Sequence, residues 1–464
     1  MPGTELFGEE EKKEVMDVLN TGVLFRYNHD AQRKGHWKAK DFEAEIAKFT
    51  GAKHALAVSS GSTAVSSMLA ACGVGYGDHV IVPPFTFVAT IEAVLFAGAI
   101  PVFAEIDETL CLSAEGIRAA ITPKTKAVLL VHMCGASADL DGIMAVCQEK
   151  NVMLIEDTAQ ALGATYKGKH LGLFGKMGSF SFDFFKINTC GEGGVIITND
   201  EQLIKTAEYL SDHGHSHEGD NRGMEPHPIM GTNYRIGEIN AAIGLAQARK
   251  LPYIISQQRK HKAIIHARLS KIPGLSFRKQ CDDAGDSATF FHLLFPSEAT
   301  ARAAHKAMGE AGVGGGYWYD NMYHYIKQWH QVKELSMPFR MVAHELGLPQ
   351  DLKTMTFPKS DAVLSRLISF NIRVTWTEAE LDAYLDKVEG AVRKVMEAVV
   401  MERGRLGVPA ESLGASQQLA AGHIAVNSSF WLMGGLGWFV HARWASTTNV
   451  SVIYSTACEF THFA

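Results

Sequence analysis

Short apolar segments alternate with longer amphipathic ones through the first half of the chain. The apolar segments are four to five residues long and are flanked by polar or turn-forming residues, as buried strands are. They lie at 54–58, 79–82, 100–103, 127–131 and 152–155. Segments with helical periodicity, such as 140–150, separate them. Strands that are apolar throughout and alternate with helices predict a mostly parallel sheet covered by helices on both faces.

A further strand is predicted over 179–185, where aromatic and small residues alternate, and a glycine-rich turn at 191–194 leads into the next strand, 195–198. Lys186 stands where the predicted strand ends. Its aromatic neighbours are Phe182, Phe184 and Phe185. An amine held among them loses hydration, which lowers its pKa and favours attack on a carbonyl. An isolated lysine is more often a surface residue, and this stretch alone leaves that alternative open.

Asp157 changes the interpretation of Lys186 because it ends the preceding apolar run, 152–155. A carboxylate at the carboxyl end of a buried strand, followed one strand later by a lysine, is typical of a pyridoxal phosphate (PLP) site. The acid keeps the pyridine nitrogen protonated, and the lysine holds the aldehyde carbon as a Schiff base. Ligands of parallel sheets bind beyond the carboxyl ends of the strands, where the segment 59–63 and Phe87 are also expected.

The segment 59–63 is a small-residue turn between a predicted strand and a helix over 65–71. Such a turn directs free backbone N–H groups and the positive end of the helix dipole at an anion. Serine and threonine are also the usual residues at the start of any helix, so the turn alone is a weak indication of phosphate binding.

The second half of the chain predicts a smaller α/β module. Its segments are a helix over 239–250, a second helix from Pro252 to about 270, a strand at 288–295 and helices at 299–311 and 378–400. The predicted domains are a helix and arm at 1–40, a large domain at 41–250, a small domain at 251–400 and an atypical tail at 401–464.

Alternate histidines at 213, 215 and 217, with His227 nearby, raise the question of a metal site. Carboxylate or cysteine partners at ligand spacing are not evident, so no metal is predicted and a polar substrate loop is favoured.

The composition is that of an ordinary soluble protein: 464 residues, 47% hydrophobic, 20% charged, net charge −6. No basic footprint for nucleic acid is present. The seven scattered cysteines and the absence of an apolar N-terminal segment favour reduced thiols and a cytoplasmic location. The tail at 409–464 has three charged residues, and its apolar stretch at 430–440 is too short to span a membrane. Whether the tail packs on the body, is poorly ordered or is not a natural continuation stays open.

The chain resembles the DegT/DnrJ/StrS family of PLP-dependent sugar aminotransferases over about residues 5–395. The residues that carry the resemblance are Asp157, Gln160, Ser181, Lys186 and Asn233. The resemblance implies the type I aminotransferase fold, with a mostly parallel seven-stranded sheet between helices and a smaller C-terminal α/β domain. It also implies a homodimer with shared active sites. The residues that would bind PLP are Ser62, Thr63, Phe87, Asp157, Gln160, Ser181, Lys186 and, from the partner subunit, Asn233.

Within the family the chain is most similar to enzymes that aminate 8-oxo-3-deoxy-manno-octulosonate for bacterial lipopolysaccharide. The matching segments are 25–28, 37–38, 131–135, 181–183, 189–194, 211–215 and 227–231. The implied reaction takes the amino group from L-glutamate. Cations and aromatic faces suit a carboxylated sugar, and the candidate substrate residues are Arg26, His213, His215, His217, Tyr317 and Trp318.

The alternatives are a different nucleotide-sugar or inosose acceptor, or a PLP-dependent sugar dehydratase. In the dehydratase branch of the family a histidine stands at the lysine position, so Lys186 favours amino transfer. A non-catalytic binding protein or a structural partner is disfavoured because Lys186, Asp157 and Ser181 are all present.

Overall fold

The computed structural model describes residues 2–219 and 221–405. Residues up to Glu402 form one compact unit. The predicted atypical tail, apart from its first residues, lies outside the described residues. None of the described helices is long and apolar enough to cross a membrane.

Twelve strands and fifteen α-helices make up the described chain. The strands are β1 His54–Val58, β2 His79–Val82, β3 Ile100–Phe103, β4 Thr125–Val131, β5 Met153–Asp157, β6 Thr165–Tyr166, β7 Lys169–His170, β8 Gly178–Ser181, β9 Gly194–Thr198, β10 Ser276–Phe277, β11 Phe290–Leu294 and β12 Leu367–Asn371. The helices of the first half are α1 Pro2–Glu5, α2 Glu9–Thr21, α3 Asp30–Arg33, α4 Lys38–Thr50, α5 Gly61–Ala71, α6 Ala89–Phe96, α7 Ala114–Ala120, α8 Leu140–Lys150 and α9 Glu201–Ser211. Those of the second half are α10 Glu238–Leu269, α11 Glu298–Glu310, α12 His330–Lys333, α13 Val342–Leu346, α14 Pro358–Leu364 and α15 Glu378–Arg405.

The central sheet has seven strands in the order β1-β9-β8-β5-β4-β2-β3. Its strands are parallel except β9, which pairs antiparallel with both β1 and β8. Most positions of these strands are buried and most carry apolar side chains, as expected for a sheet that helices cover. The predicted α/β class with a mostly parallel seven-stranded sheet is therefore confirmed.

A second sheet, β10-β11-β12, is antiparallel and comes from the C-terminal part of the chain. Buried residues of both sheets, such as Leu129 and Phe291, belong to one continuous apolar core. The division into domains at residues 40, 250 and 400 stays a prediction.

Most predicted bounds differ from the structure by a few residues, and three elements need a correction. The strand predicted over 179–185 is wrong beyond Ser181, where the chain enters the loop 182–193, called here the lysine loop. The helix after the phosphate-binding turn begins at Gly61 rather than at residue 65. The two helices predicted on either side of Pro252 are one helix, α10, with the proline inside it.

Candidate active site

The carboxyl ends of the parallel strands bring together the residues predicted to bind PLP. Asp157 is the last residue of β5 and pairs in register with Ser179 of β8. Ser181 ends β8, and it faces the first residue of α5, since a Cβ built on Gly61 would lie 2.7 Å from the Ser181 Cβ. The predicted acid, phosphate-binding serine and helix N-terminus therefore share one edge of the sheet, as expected for this class of fold.

The N-terminus of α5 has the chemistry of an anion site. Ser60 caps the helix: its hydroxyl accepts a hydrogen bond from the Thr63 N–H at 3.1 Å, and the Thr63 hydroxyl accepts one from the Ser60 N–H at 3.0 Å. No acidic side chain lies in the first turn. Because Gly61 lacks a side chain, the start of α5 can pack directly against Ser181. The unpaired N–H groups of the first turn can bind a phosphate there.

Lys186 lies in the lysine loop, held by a hydrogen bond from its own N–H to the Asp183 carbonyl at 3.0 Å. Its Nζ is 6.0 Å from the centre of the Phe87 ring. Burial lowers the pKa of the Lys186 amine, and the carboxylates of Asp183 and Asp157 oppose this shift. The neutral, nucleophilic form is favoured by burial, as predicted.

The predicted aromatic surroundings of Lys186 need a correction. Phe184 and Phe185 are 53% and 62% exposed, because the chain has left the sheet before it reaches them. They point out of the core, and the ring that lies near the amine comes from Phe87, after β2.

Asp157 is a buried carboxylate, 5% exposed. Its oxygens accept hydrogen bonds from the Thr90 hydroxyl at 2.9 Å and the Ala159 N–H at 3.1 Å. Burial raises its pKa, while these hydrogen bonds and the charge of Lys186 act in the opposite direction. A buried acid of this kind is suited to pair with a protonated ring nitrogen.

Gln160 lies three residues after Asp157. Its side chain is held by Cys134, which was not among the predicted site residues. Its Oε1 accepts a hydrogen bond from the Cys134 N–H at 3.1 Å. Cys134 is buried, adopts a left-handed conformation with φ 54°, and contributes to the electrostatics of Lys186. The hydrogen bond to Gln160, between residues that follow neighbouring strands, is visible only in the structure.

His324 is a second residue that the sequence analysis missed. Its ring centre lies 5.5 Å from that of Phe87 and 4.7 Å from that of Trp318, and its Nδ1 lies 2.9 Å from Asn321 Oδ1. Burial and the positive charge of Lys186 lower its pKa to about 4. A neutral imidazole thus flanks Phe87, and Trp318, a predicted substrate residue, packs behind it.

Tyr317, the other aromatic substrate candidate, is buried, and its hydroxyl donates to the Ser365 carbonyl at 2.7 Å. The Trp318 indole N–H donates to Ser369 Oγ at 2.7 Å. Of these two candidates, Trp318 is the one in contact with His324.

The remaining substrate candidates form a separate cluster under the N-terminal arm. Arg26 is 4% exposed and pairs with Glu43 at 2.5 Å. The His217 ring stacks on Tyr27 with centres 3.9 Å apart. His215 Nδ1 lies 3.0 Å from Glu225 Oε2, and His213 is exposed. Among the described residues no group of histidine, cysteine and acidic side chains is arranged to hold a metal ion.

Asn233 is exposed and lies beside the end of β1, since neighbouring Tyr234 accepts the Ser59 N–H at 2.7 Å and Arg235 bridges to Val58. Its contribution to a partner's site stays a prediction.

Together, the residues fit PLP. Gly61 lets the start of α5 lie close to Ser181, Asp157 offers a buried acid, Phe87 an aromatic face and Lys186 an amine of lowered pKa. Ser179 adds a buried hydroxyl that has no hydrogen-bond partner among the described residues.

Several known proteins are similar to this chain in sequence and in fold. The GDP-perosamine synthase of Caulobacter vibrioides is 43% identical over 217 residues, which are 46% of this chain and 56% of that protein. A spore coat polysaccharide biosynthesis protein of Bacillus subtilis is 37% identical over 310 residues, which are 65% of this chain and 77% of that protein. The aminotransferase structure from Psychrobacter cryohalolentis superposes with a TM-score of 0.72 at 28% identity, over 84% of this chain and 98% of that one. The chain thus spans little more than half the length of the Caulobacter relative.

Residues 6–389 match the DegT/DnrJ/EryC1/StrS aminotransferase family. This match confirms the predicted enzyme class, a PLP-dependent transaminase, and its cofactor, and the Psychrobacter structure confirms the aminotransferase fold. The chain belongs to the DegT/DnrJ/EryC1/StrS aminotransferase family.

Proposed function

We propose that the protein transfers an amino group from L-glutamate to a keto- or aldehydo-sugar, and that 8-oxo-3-deoxy-manno-octulosonate is the acceptor. The observation that carries the proposed chemistry is the juxtaposition of Lys186, Asp157 and Phe87 at one edge of the sheet. The octulosonate assignment depends on the segments that resemble the lipopolysaccharide subgroup.

The cofactor residues have distinct proposed roles. PLP, when bound, supplies an electron sink for the carbon that exchanges its proton. Asp157 would hold the proton on the ring nitrogen, Phe87 would stack on the ring and Gln160 would contact the ring or its hydroxyl. Ser62, Thr63 and Ser181 bind the phosphate with the N–H groups of α5.

Lys186 is the proposed proton carrier. A general base works best when its pKa lies near the working pH, and burial moves the Lys186 pKa in that direction. Its Nζ can therefore take a proton from the donor carbon and return it to a neighbouring position without help from solvent.

The acceptor is proposed to bind between the lysine loop and the polar residues contributed by the arm and the histidine segment. The candidates remain Arg26, His213, His215, His217, Tyr317 and Trp318. Trp318 has the strongest support because it touches His324 next to Phe87.

A homodimer in which Asn233 reaches the partner's site completes the proposal. We place the enzyme in the cytoplasm of a bacterium that builds such a surface sugar.

A nucleotide-linked 4-keto sugar is the second candidate acceptor, because a GDP-perosamine synthase is 43% identical over the matched segment. A sugar dehydratase is the third candidate, and the presence of Lys186 speaks against it.

An absorbance titration tests the chemistry. We expect PLP to produce a visible band in the wild-type protein and L-glutamate to bleach it. Lys186→Ala should lack the band, while Lys176→Ala, at an exposed lysine, should behave as wild type. A band that glutamate leaves unchanged would exclude glutamate as the donor.

The acceptor is then identified by restoring the band. The glutamate-treated enzyme is mixed with 8-oxo-3-deoxy-manno-octulosonate or with a GDP-linked 4-keto sugar. Return of the band with the GDP sugar alone would replace the octulosonate proposal with the second candidate.

A further inference from the structure

Arg278 is a buried arginine, 5% exposed, whose partners among the described residues are backbone carbonyls and one thiol. Its Nε donates to the Thr109 carbonyl at 2.8 Å, and its Nη1 donates to the Met133 carbonyl at 2.8 Å. Its Nη2 also bonds to Thr109 and lies 3.6 Å from Cys111 Sγ. A buried guanidinium without a carboxylate partner is costly, so these converging carbonyl dipoles must hold it.

Residues 133–136 form a turn, called here the carbonyl turn, whose four carbonyl oxygens are all bound by residues 278–287. Besides Met133, Arg278 Nη1 reaches the Cys134 carbonyl at 3.3 Å and Nη2 reaches the Ala136 carbonyl at 3.4 Å. The fourth oxygen, of Gly135, accepts the Ser287 N–H at 2.9 Å. The carbonyl turn, which follows β4 of the central sheet, is thus held by the segment 278–287, which follows β10.

The carbonyl turn has an unusual backbone. Cys134 and Gly135 adopt positive φ values of 54° and 86°. Such a conformation is unfavourable for a residue with a side chain and persists when the surroundings fix it. At Gly135 a Cβ would collide with Ser287 Oγ, so the contact with residue 287 leaves room only for glycine.

The conformation of the carbonyl turn determines the direction in which the Cys134 N–H points. The Cys134 N–H donates to Gln160 Oε1 at 3.1 Å, and Gln160 lies three residues after Asp157. We propose that Arg278 is a positioning residue, which fixes the carbonyl turn so that the Cys134 N–H orients the Gln160 amide toward the cofactor ring. This inference rests on the proposed role of Gln160 in PLP binding.

Arginine suits this task for a geometric reason. Its planar fork carries five N–H donors and can bond to several carbonyls in fixed directions, whereas a lysine ammonium is a compact point charge. We expect Arg278→Lys to keep the charge and lose the alignment of the turn.

The test is the dissociation constant of PLP, measured without an amino donor or acceptor. We expect Arg278→Lys and Gln160→Ala each to weaken PLP binding about tenfold, the cost of one lost hydrogen bond. Because both changes act on the same contact, the double variant should also be about tenfold weaker rather than a hundredfold. Wild-type affinity in Arg278→Lys, or additive losses in the double variant, would overturn the proposal.

Arg366→Lys is the matched control. Arg366 also bonds to backbone carbonyls, those of Ala362 at 2.7 Å and Phe295 at 3.3 Å, and contacts no residue of the carbonyl turn. Its PLP affinity should equal that of wild type. If Arg278→Lys does not fold, Gly135→Ala shifts the same turn and should show the same loss and the same non-additivity with Gln160→Ala.

Amide hydrogen exchange at Cys134 provides a readout that needs no cofactor. In the PLP-free protein the exchange should be at least about tenfold faster in Arg278→Lys than in wild type, because the turn is released. Unchanged exchange would overturn the proposal even if the wild-type protein bound no PLP, whereas absent PLP binding with faster exchange would instead overturn the proposed function.

Discussion

Lys186 and Asp157 are opposite charges that burial drives toward neutrality. Burial lowers the pKa of the amine and raises the pKa of the carboxyl, while the charge of each one favours the charged form of the other. Burial thus favours the neutral, nucleophilic amine, and it leaves a poorly solvated carboxyl that can pair with a cationic ring nitrogen. The same burial must reduce the stability of the protein before PLP binds.

Replacing Lys186 by Met should therefore stabilise the PLP-free protein at neutral pH. The pKa of Lys186 is below its ordinary value of 10.5 in the folded chain, so between these two values the unfolded chain binds more protons. Wild-type stability should then rise with pH through that window, and the advantage of Lys186→Met should shrink toward pH 10.5. Urea unfolding of both proteins at several pH values measures this, and an advantage that does not change with pH would contradict it.

Replacing Asp157 by Asn should separate stability from function. The folded pKa of Asp157 is above its ordinary value of 3.8, so the burial of its charge costs stability above the folded pKa. Asp157→Asn is expected to unfold at a higher temperature without PLP at pH 7, yet to transfer amino groups on the order of 100-fold more slowly. Equal turnover in variant and wild type would show that the ring nitrogen has another partner.

The sequence predicted the residues with distinctive chemistry and missed those defined by contact. Lys186 and Asp157 were predictable because an acid at the end of a buried strand, followed by a lysine shortly after the next strand, suits a PLP site. His324 and Arg278 come from distant parts of the chain, and no local pattern marks them. Cys134 lies in the matching segment 131–135, but its contact with Gln160 is visible only in the structure. Phe184 and Phe185 show the opposite error. The alternation of aromatic and small residues predicted that the strand reaches residue 185, but β8 ends at Ser181 and both rings are exposed.

Among the elements, the N-terminus of α5 is the one on which phosphate binding depends. We predict that Gly61→Ala destabilises the protein by about 1–3 kcal/mol, because the new Cβ would lie 2.7 Å from the Ser181 Cβ. PLP affinity should also fall about tenfold as the helix and β8 move apart. Fluorescence titration and thermal unfolding measure the two effects.

Gly309→Ala is the matched control for Gly61→Ala. Gly309 lies within α11, and a Cβ built there has no neighbour within 4 Å. The change should stabilise the protein by about 1 kcal/mol through helix propensity and leave PLP affinity unchanged. Stabilisation by Gly61→Ala as well would show that the approach of α5 to Ser181 is not close.

Element boundaries were predictable where propensity and packing agree. The predicted bounds of β1, β2 and β3 match the structure, and each of these strands is a short, largely apolar run of four or five residues. Pro252 in α10 shows where propensity alone is wrong, since a proline removes one N–H but the apolar face of the 32-residue helix continues across it. The buried positions Leu251, Ile254 and Ile255 hold both halves of α10 against the core.

At the scale of the whole molecule, one continuous core joins the two sheets, and hydrogen bonds link the carbonyl turn to the segment 278–287. If Arg278 positions Gln160 as proposed, PLP binding depends on the C-terminal part of the chain as well as on the central sheet. The site residues so far considered nevertheless come from a single chain, and Asn233 is the one predicted to serve a second subunit.

Subunit complementation tests the proposed shared site. Lys186→Ala and Asn233→Ala dimers should each be nearly inactive. After the two are unfolded and refolded together in equal amounts, half of the dimers should be mixed, and each mixed dimer has one site with both residues intact. About a quarter of wild-type activity should therefore return.

The control pairs Lys186→Ala with Asp157→Asn. Both residues serve the site of their own subunit, so no intact site forms and activity should stay absent. Recovery in the control, or none in the first mixture, would show that Asn233 does not act across a dimer interface.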